Sequence, residues 1–387
     1  MPLSQGTSAN AALAASSADA ASHWHLFNVG ACCFYIASDK KHDAWFPIGT
    51  NFIGKMDAGG SVLTYPIPFQ NLGYDMVRGN DDDIWFASGT VIGRASTSGS
   101  ISSYSAKGFT QFLTRGFGHD IWYTTTTTTT IPGSPFVAHM AYDGTTKTYP
   151  VPPNPMGGLP PHPDGITRGP DRSLWFTTDT AYEHYCTIEK LNPATAAITS
   201  YPMQNNICTG LYIVAGPDRR LWTVGYDFNS DTTIVIAMTA HGVVKTYQLP
   251  ANYLATATQI AVGRDHALYF GAVNTAQMPA ASVTAMHHLI EKQFTEDRVS
   301  LERSLKVQVP SSSVALMRLT TDGHFTVYGA PSQLSCCLDG MATGPHGDIW
   351  FSDYPIVGFY RTDHSWSSPD IDTTLASPQT EDADIDP

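Results

Sequence analysis

Charge is scarce in this chain of 387 residues, where Asp, Glu, Lys and Arg make up only 14%, against roughly 25% in an average soluble domain. Lysine and arginine number 21 against 34 acids, for a formal net charge of −13, and no basic cluster occurs. A chain of that sign has little with which to neutralise phosphate, which argues against nucleic acid and anionic membranes as partners. No apolar run reaches the ~18 residues of a transmembrane helix. The opening MPLSQGTSANAALAASSADAAS lacks the basic start and apolar centre of a signal peptide. It reads as a disordered tail over 1–22, as does 367–387 at the other end. The compartment stays open between the cytoplasm and secretion with a signal already removed. The six cysteines show no C-x-x-C spacing, so zinc modules are not indicated. Phosphate-binding glycine loops and the serine nucleophile elbow are missing as well.

What the chain has is a phrase. ITRGPDRSLWFTT at 166–178 returns as MVRGNDDDIWFAS, LTRGFGHDIWYTT, IVAGPDRRLWTVG, IAVGRDHALYFGA and MATGPHGDIWFSD, with a degenerate first copy, IASDKKHDAWFPI. These seven copies carry the aromatic anchors Trp45, Trp85, Trp122, Trp175, Trp222, Tyr269 and Trp350. Each phrase is an apolar strand (A), a Gly/Asp turn and an aromatic strand (B). A second half follows, such as FIGKMDAGGSVLTYPIP, in which a turn separates two more short strands, C and D. Four short strands recurring about every 40 residues mark a propeller. The expected fold is all-β: a seven-bladed β-propeller with four-stranded blades, one domain over 23–366. The aromatic anchors are read as packing between blades. The last repeat has no strand D, and SHWHLFNVG at 22–30 is the segment expected to supply it and close the ring.

Repeat six carries an insertion, 274–313, in which Val283, Met286, Ile290, Phe294, Leu301 and Leu305 recur at near-helical spacing. It is expected to hold one or two helices, folded as a lid over the propeller mouth or packed on its rim. Neighbours on a helix cannot face the same way, so at most one of His287 and His288 points into a pocket.

GPDRSLWFTT and IGKMDAGGSVLTYPIP resemble the streptogramin B (virginiamycin B) lyase family, whose seven-bladed propellers repeat GPDGxLWFTE and xIGRITxxGxITEYPLP; the likeness runs from about 24 to 365. The resemblance implies a metal-assisted (Mg2+) lyase. The family's Glu-Pro-His-Gly run falls here on Cys337, Leu338, Asp339 and Gly340. Its glutamate after strand B falls at or beside Asp353. Its further histidine falls on Thr258. The family's base and one ligand are therefore replaced in this chain.

The A–B and C–D turns are uniform in length, whereas TTTTTTTIPGSP, VPPNPMGGLPPHP and the 274–313 insertion all fall on the D–A and B–C side. Function gathers on variable loops, so that mouth is the candidate functional face. The residue two before each strand-A anchor is expected to ring it: Phe34, Tyr74, Gln111, Asp164, Leu211, Thr258 and Asp339. Asp339, Asp353 and Asp164 are the candidate catalytic acids. Phe34, Tyr74, Gln111, Leu211, Thr258 and His162 are the candidate substrate-binding residues. Asp339 and Asp353 together could hold Mg2+ (or Ca2+) with water, share a proton, or simply cap their own turns. Cys32/Cys33 and Cys336/Cys337 are placed to staple the ring seam, and Cys186 with Cys208 to bridge repeats four and five; reduced thiols are the alternative. The expected function is lyase-type: proton abstraction and elimination on a small organic molecule, by a monomer or weak dimer. A non-catalytic propeller binding a ligand, glycan or protein is the alternative.

Overall fold

The computed structural model describes residues 23–30, 35–70, 75–126, 135–153, 161–180, 185–256, 259–293, 309–334, 338–344 and 347–362. Its strands form antiparallel sheets in a propeller arrangement, and each sheet follows from the repeat grammar. In the A–B turns a residue takes a left-handed conformation: His42, Asp82, Arg172, Arg219 and His266 lie at φ between 58° and 70°. In the last repeat a glycine does so, Gly347 at 88°. The aspartate of the turn then accepts from the strand-B anchor. Trp122 donates to Asp120 at 3.0 Å, Trp175 to Asp171 at 2.9 Å, Trp222 to Asp218 at 3.0 Å, and the Tyr269 hydroxyl to Asp265 at 3.0 Å. A strand-C cation completes the set. Lys190 binds Asp171 at 2.5 Å, 5.3 Å above the Trp175 ring, and Arg318 binds Asp265 at 2.6 Å. The anchors are interior packing, as expected: Trp45, Trp85, Trp175, Trp222 and Trp350 are all less than 2% exposed.

Among the described residues the sheets number six, not the expected seven. Repeats two and three share one six-stranded sheet because strand D of repeat two never ends. It runs as a single strand, Ile101–Arg115, and its early part pairs with Val91–Ala95 while its later part pairs with Ile121–Thr126 of repeat three. No loop-forming insertion separates the two halves as it does elsewhere. Four-stranded sheets are also not universal. In repeats five and six the first strand breaks in two, giving five strands each.

Ring closure follows the expected route. Trp24–Asn28 pairs with Ile356–Tyr360, from Trp24 opposite Tyr360 to Asn28 opposite Ile356. At the inner end of the seam the Ser38 hydroxyl donates to the Thr343 carbonyl at 2.5 Å. Thr343 in turn donates to the Val262 carbonyl at 2.6 Å.

The insertion holds one α-helix among the described residues, α1 (Ala280–Gln293); 294–308 lie outside them. Met286 is buried in the cluster that also holds Tyr226, Val273, Val309 and Val314, so the helix is seated on the rim between repeats five and six. His287 faces Asp231, Nδ1 to Oδ2 at 3.6 Å, while His288 is exposed. Cys186 and Cys208 form the expected disulfide, Cα atoms 5.1 Å apart. Cys32, Cys33, Cys336 and Cys337 fall outside the described residues, as do 127–134 of the threonine run and its loop.

Candidate functional site at the propeller mouth

Strand A of each repeat lies innermost, and its register decides which side chains reach the axis. The residue immediately before each anchor does so, one position beyond the ring expected from sequence. Tyr35 and Tyr212 approach with ring centroids 6.4 Å apart, and Phe112 meets Tyr212 edge-on at 4.9 Å. Asp75 and Gln259 belong to the same layer and meet across it, Gln259 Nε2 donating to Asp75 Oδ1 at 3.4 Å. The offset has a physical cause. Strand A is bulged where it enters the sheet, between Thr110 and Leu113 and between Pro163 and Ile166, and a bulge shifts the two-residue alternation that sequence reading relies on. In repeat four the axial position is Gly165, whose N–H donates to the Leu211 carbonyl at 2.6 Å. A Cβ there would stand 2.1 Å from that oxygen, so only glycine allows this approach.

The expected mouth residues divide as follows. Phe34, Tyr74 and Thr258 lie outside the described residues. Gln111 precedes the axial Phe112, and its buried Oε1 makes no hydrogen bond among the described residues. Leu211 packs partly buried against the axial cluster and offers its carbonyl to Gly165. His162 opens strand A of repeat four, opposite Asp179. Asp164 is buried in the bulge just beyond it. Asp339 lies just before strand Met341–Thr343 of the last sheet, and Asp353 ends the neighbouring strand, Ile349–Asp353. The Asp339 N–H donates to the Ser352 carbonyl at 2.9 Å, and the Ser352 N–H returns to Gly340 at 3.0 Å. Gly340 N–H also donates to the Ser352 hydroxyl at 3.0 Å. Asp353, next in line, ends strand B almost wholly buried, at 3% exposure. The start of A and the end of B coincide in an antiparallel pair, so Asp164, Asp339 and Asp353 all sit at the mouth end of their sheets.

Two acids that the sequence reading passed over stand out. Asp75 is buried, and its carboxylate accepts from Met76 N–H and Leu113 N–H, each at 2.8 Å. Burial pushes it up to about 7, against the pull of those two N–H groups. Glu189 lies opposite Phe176, where other repeats set Gly54, Ala138, Ile236, Met317 or Gly358 against their strand-B residue. It accepts from Thr187 at 2.6 Å and Ser200 at 2.7 Å, and Thr187 lies 2.6 Å from the Thr178 hydroxyl. Burial raises Glu189 as well, its hydroxyl partners opposing. An acid in a register position otherwise filled by glycine or an apolar residue was the available signal.

Among the described residues no group of three or more His, Cys, Asp or Glu side chains converges to hold a metal ion. Ca2+ takes six to eight oxygens, and Mg2+ on one or two carboxylates keeps several waters. Asp339 and Asp353 alone do not complete such a shell. Among the described residues, no helix is long and apolar enough to cross a membrane.

Comparison with solved structures finds this propeller arrangement widely. A streptogramin B lyase structure superposes with a TM-score of 0.60 at 20% identity, over 87% of this chain and 97% of that one. The Kuenenia stuttgartiensis hydrazine synthase gives 0.59 at 10% identity, over 86% and 96%. The Neurospora crassa Pan2 WD40 domain gives 0.54 at 12%, over 88% and 92%. A search of curated proteins found no match. Residues 134–291 match the model of the virginiamycin B lyase family, and this match, with the repeat grammar and the fold, supports a virginiamycin B lyase-like propeller.

Proposed function

We propose that the mouth binds a small organic molecule and that one of its buried carboxylates removes a proton from carbon, a lyase-type elimination. The C–H electron pair becomes the new double bond, the leaving group departs with its own bonding pair, and the proton rests on the carboxylate. The observation that carries this reading is the Asp339–Asp353 arrangement: Asp339, just before strand Met341–Thr343, is held by a backbone hydrogen bond to Ser352, the neighbour of Asp353, which ends the adjacent strand almost wholly buried. Asp164 stands at the same end of repeat four. Gln111, its Oε1 without a partner among the described residues, would accept a hydrogen bond from the ligand and orient it.

A non-catalytic binding propeller is favoured by one specific feature: Asp339 and Thr258 stand where the resemblance to the lyase family places its histidines. The test separates the two. The chain and its Asp164→Asn, Asp339→Asn and Asp353→Asn variants are incubated with streptogramin B and a panel of small esters. Mass spectrometry reads turnover as loss of substrate and appearance of the unsaturated product. The elimination reading expects turnover that falls by roughly 100-fold or more in at least one variant, the usual scale for losing a catalytic base. Binding detected by native mass spectrometry, with no turnover in any sample, overturns it in favour of the binding propeller.

A further inference from the structure

The Asp75–Gln259 pair spans the centre of the molecule and ends, on both sides, on the backbone that carries the mouth. Asp75 Oδ2 accepts from Leu113 N–H at 2.8 Å, two residues beyond Gln111. Gln259 Oε1 accepts from Met341 N–H at 2.7 Å, two residues beyond Asp339. The side chains themselves follow Tyr74 and Thr258 in the chain. Four strands A, from repeats two, three, six and seven, are thus connected by two side chains that are 184 residues apart in sequence. Around them the axis is filled by the aromatic rings of Tyr35, Phe112 and Tyr212.

We propose that Asp75 and Gln259 are positioning residues for the mouth, a side-chain strut across the axis that couples the strand carrying Gln111 to the strand carrying Asp339. This deepens the reading of the mouth as a ligand site and rests on it.

The chemistry of the strut makes it responsive. Every group pointed at Asp75 is a donor, namely two backbone N–H groups and the Gln259 amide, a set that suits the ionised carboxylate. No charged side chain contributes to its environment; burial alone opposes the charge. The titratable groups nearest in the layer are the phenols of Tyr35 and Tyr212, and the mouth acids above it are Asp164, Asp339 and Asp353. With Asp75 brought to about 7, both protonation states are populated near neutrality. The Gln259 contact, at 3.4 Å, is the longest of the set and the first that protonation loosens. The mouth would then be braced above neutral pH and slackened below it.

The test needs no substrate, so its failure is distinct from failure of the lyase reading. Amide shifts of Leu113 and Met341 are followed by NMR on deuterated, 15N-labelled chain across roughly two pH units either side of neutrality. The strut predicts that both amides titrate with one shared midpoint near 7. In Gln259→Met, Leu113 still titrates and Met341 loses that midpoint; in Asp75→Asn both lose it. A Met341 amide that ignores the Leu113 midpoint in the unaltered chain overturns the proposal. So does a Met341 titration that survives unchanged in Gln259→Met. The unaltered chain alone decides the question if either variant fails to fold.

Discussion

Trp350 Nε1 donates to the backbone carbonyl of His42 at 3.2 Å, joining residues 308 apart in sequence. The indoles of Trp45, Trp122, Trp175 and Trp222 each bond an aspartate of their own turn. In the last repeat that aspartate is replaced by His346, and the indole reaches across the seam to the first repeat instead. The substitution Trp350→Phe therefore acts on ring closure. It is expected to cost about 2 kcal/mol, from one lost buried hydrogen bond and the smaller ring. Hydrogen exchange should quicken at Trp24–Asn28 ahead of the other sheets. Uniform quickening across all sheets would show that the contact has no special place at the seam.

Asp75 ties stability to pH with a definite sign. Its folded value is raised from 3.8 to about 7, so between those limits the folded chain holds a proton that the unfolded chain has released. Stability from this group is full below about pH 4 and is lost as pH rises toward 7. At 1.36 kcal/mol per unit the upper bound is roughly 4 kcal/mol for so buried a group. Asp348, raised to about 6 by burial, adds to the same trend, so Asp75→Asn should flatten part of the slope. Urea midpoints measured from pH 4 to pH 8, in both chains, check this; parallel curves would contradict it.

The Cys186–Cys208 bridge closes a loop of sequence separation 22. Chain-entropy reasoning gives it about 3 kcal/mol. Reduction, or Cys186→Ala with Cys208→Ala, should lower the denaturant midpoint accordingly while leaving the slope of the transition nearly unchanged. No change in midpoint on reduction would count against the bridge in solution.

Glu189 offers a contrast between two substitutions. Glu189→Gln keeps an acceptor for Thr187 or Ser200 and removes a carboxylate that burial disfavours, so it should be near neutral at acidic pH and stabilising at alkaline pH. Glu189→Ala strands both hydroxyls and opens a hole, and should cost about 3 kcal/mol. Melting curves at two pH values distinguish them; equal losses in both would assign Glu189 a role other than hydrogen-bond acceptor.

The parts of this architecture that repeat were legible, because repetition reports itself. The buried anchors, the positions of the A–B turns and the closing Trp24–Asn28 strand all followed from aligning seven phrases. What failed were places where one repeat departs from the others. The sequence around Gly108 gives no sign that strand Ile101–Arg115 continues from one repeat into the next, so six sheets were counted as seven. The bulges before Leu113 and Ile166 shift the alternation by one residue, which sent the expected ring to Gln111 and Asp164 rather than to Phe112 and Gly165. A pair 184 residues apart leaves no local pattern at all. It becomes visible only when the chain has closed on itself.

That closure also fixes an order of events during synthesis. Trp24–Asn28 is synthesised before all seven repeats, yet its strand partner among the described residues, Ile356–Tyr360, belongs to the last of them. The segment must wait, unsatisfied and edge-exposed, while the intervening sheets form. Premature termination anywhere before Ile356 leaves a ring that cannot shut, however well its earlier sheets have folded.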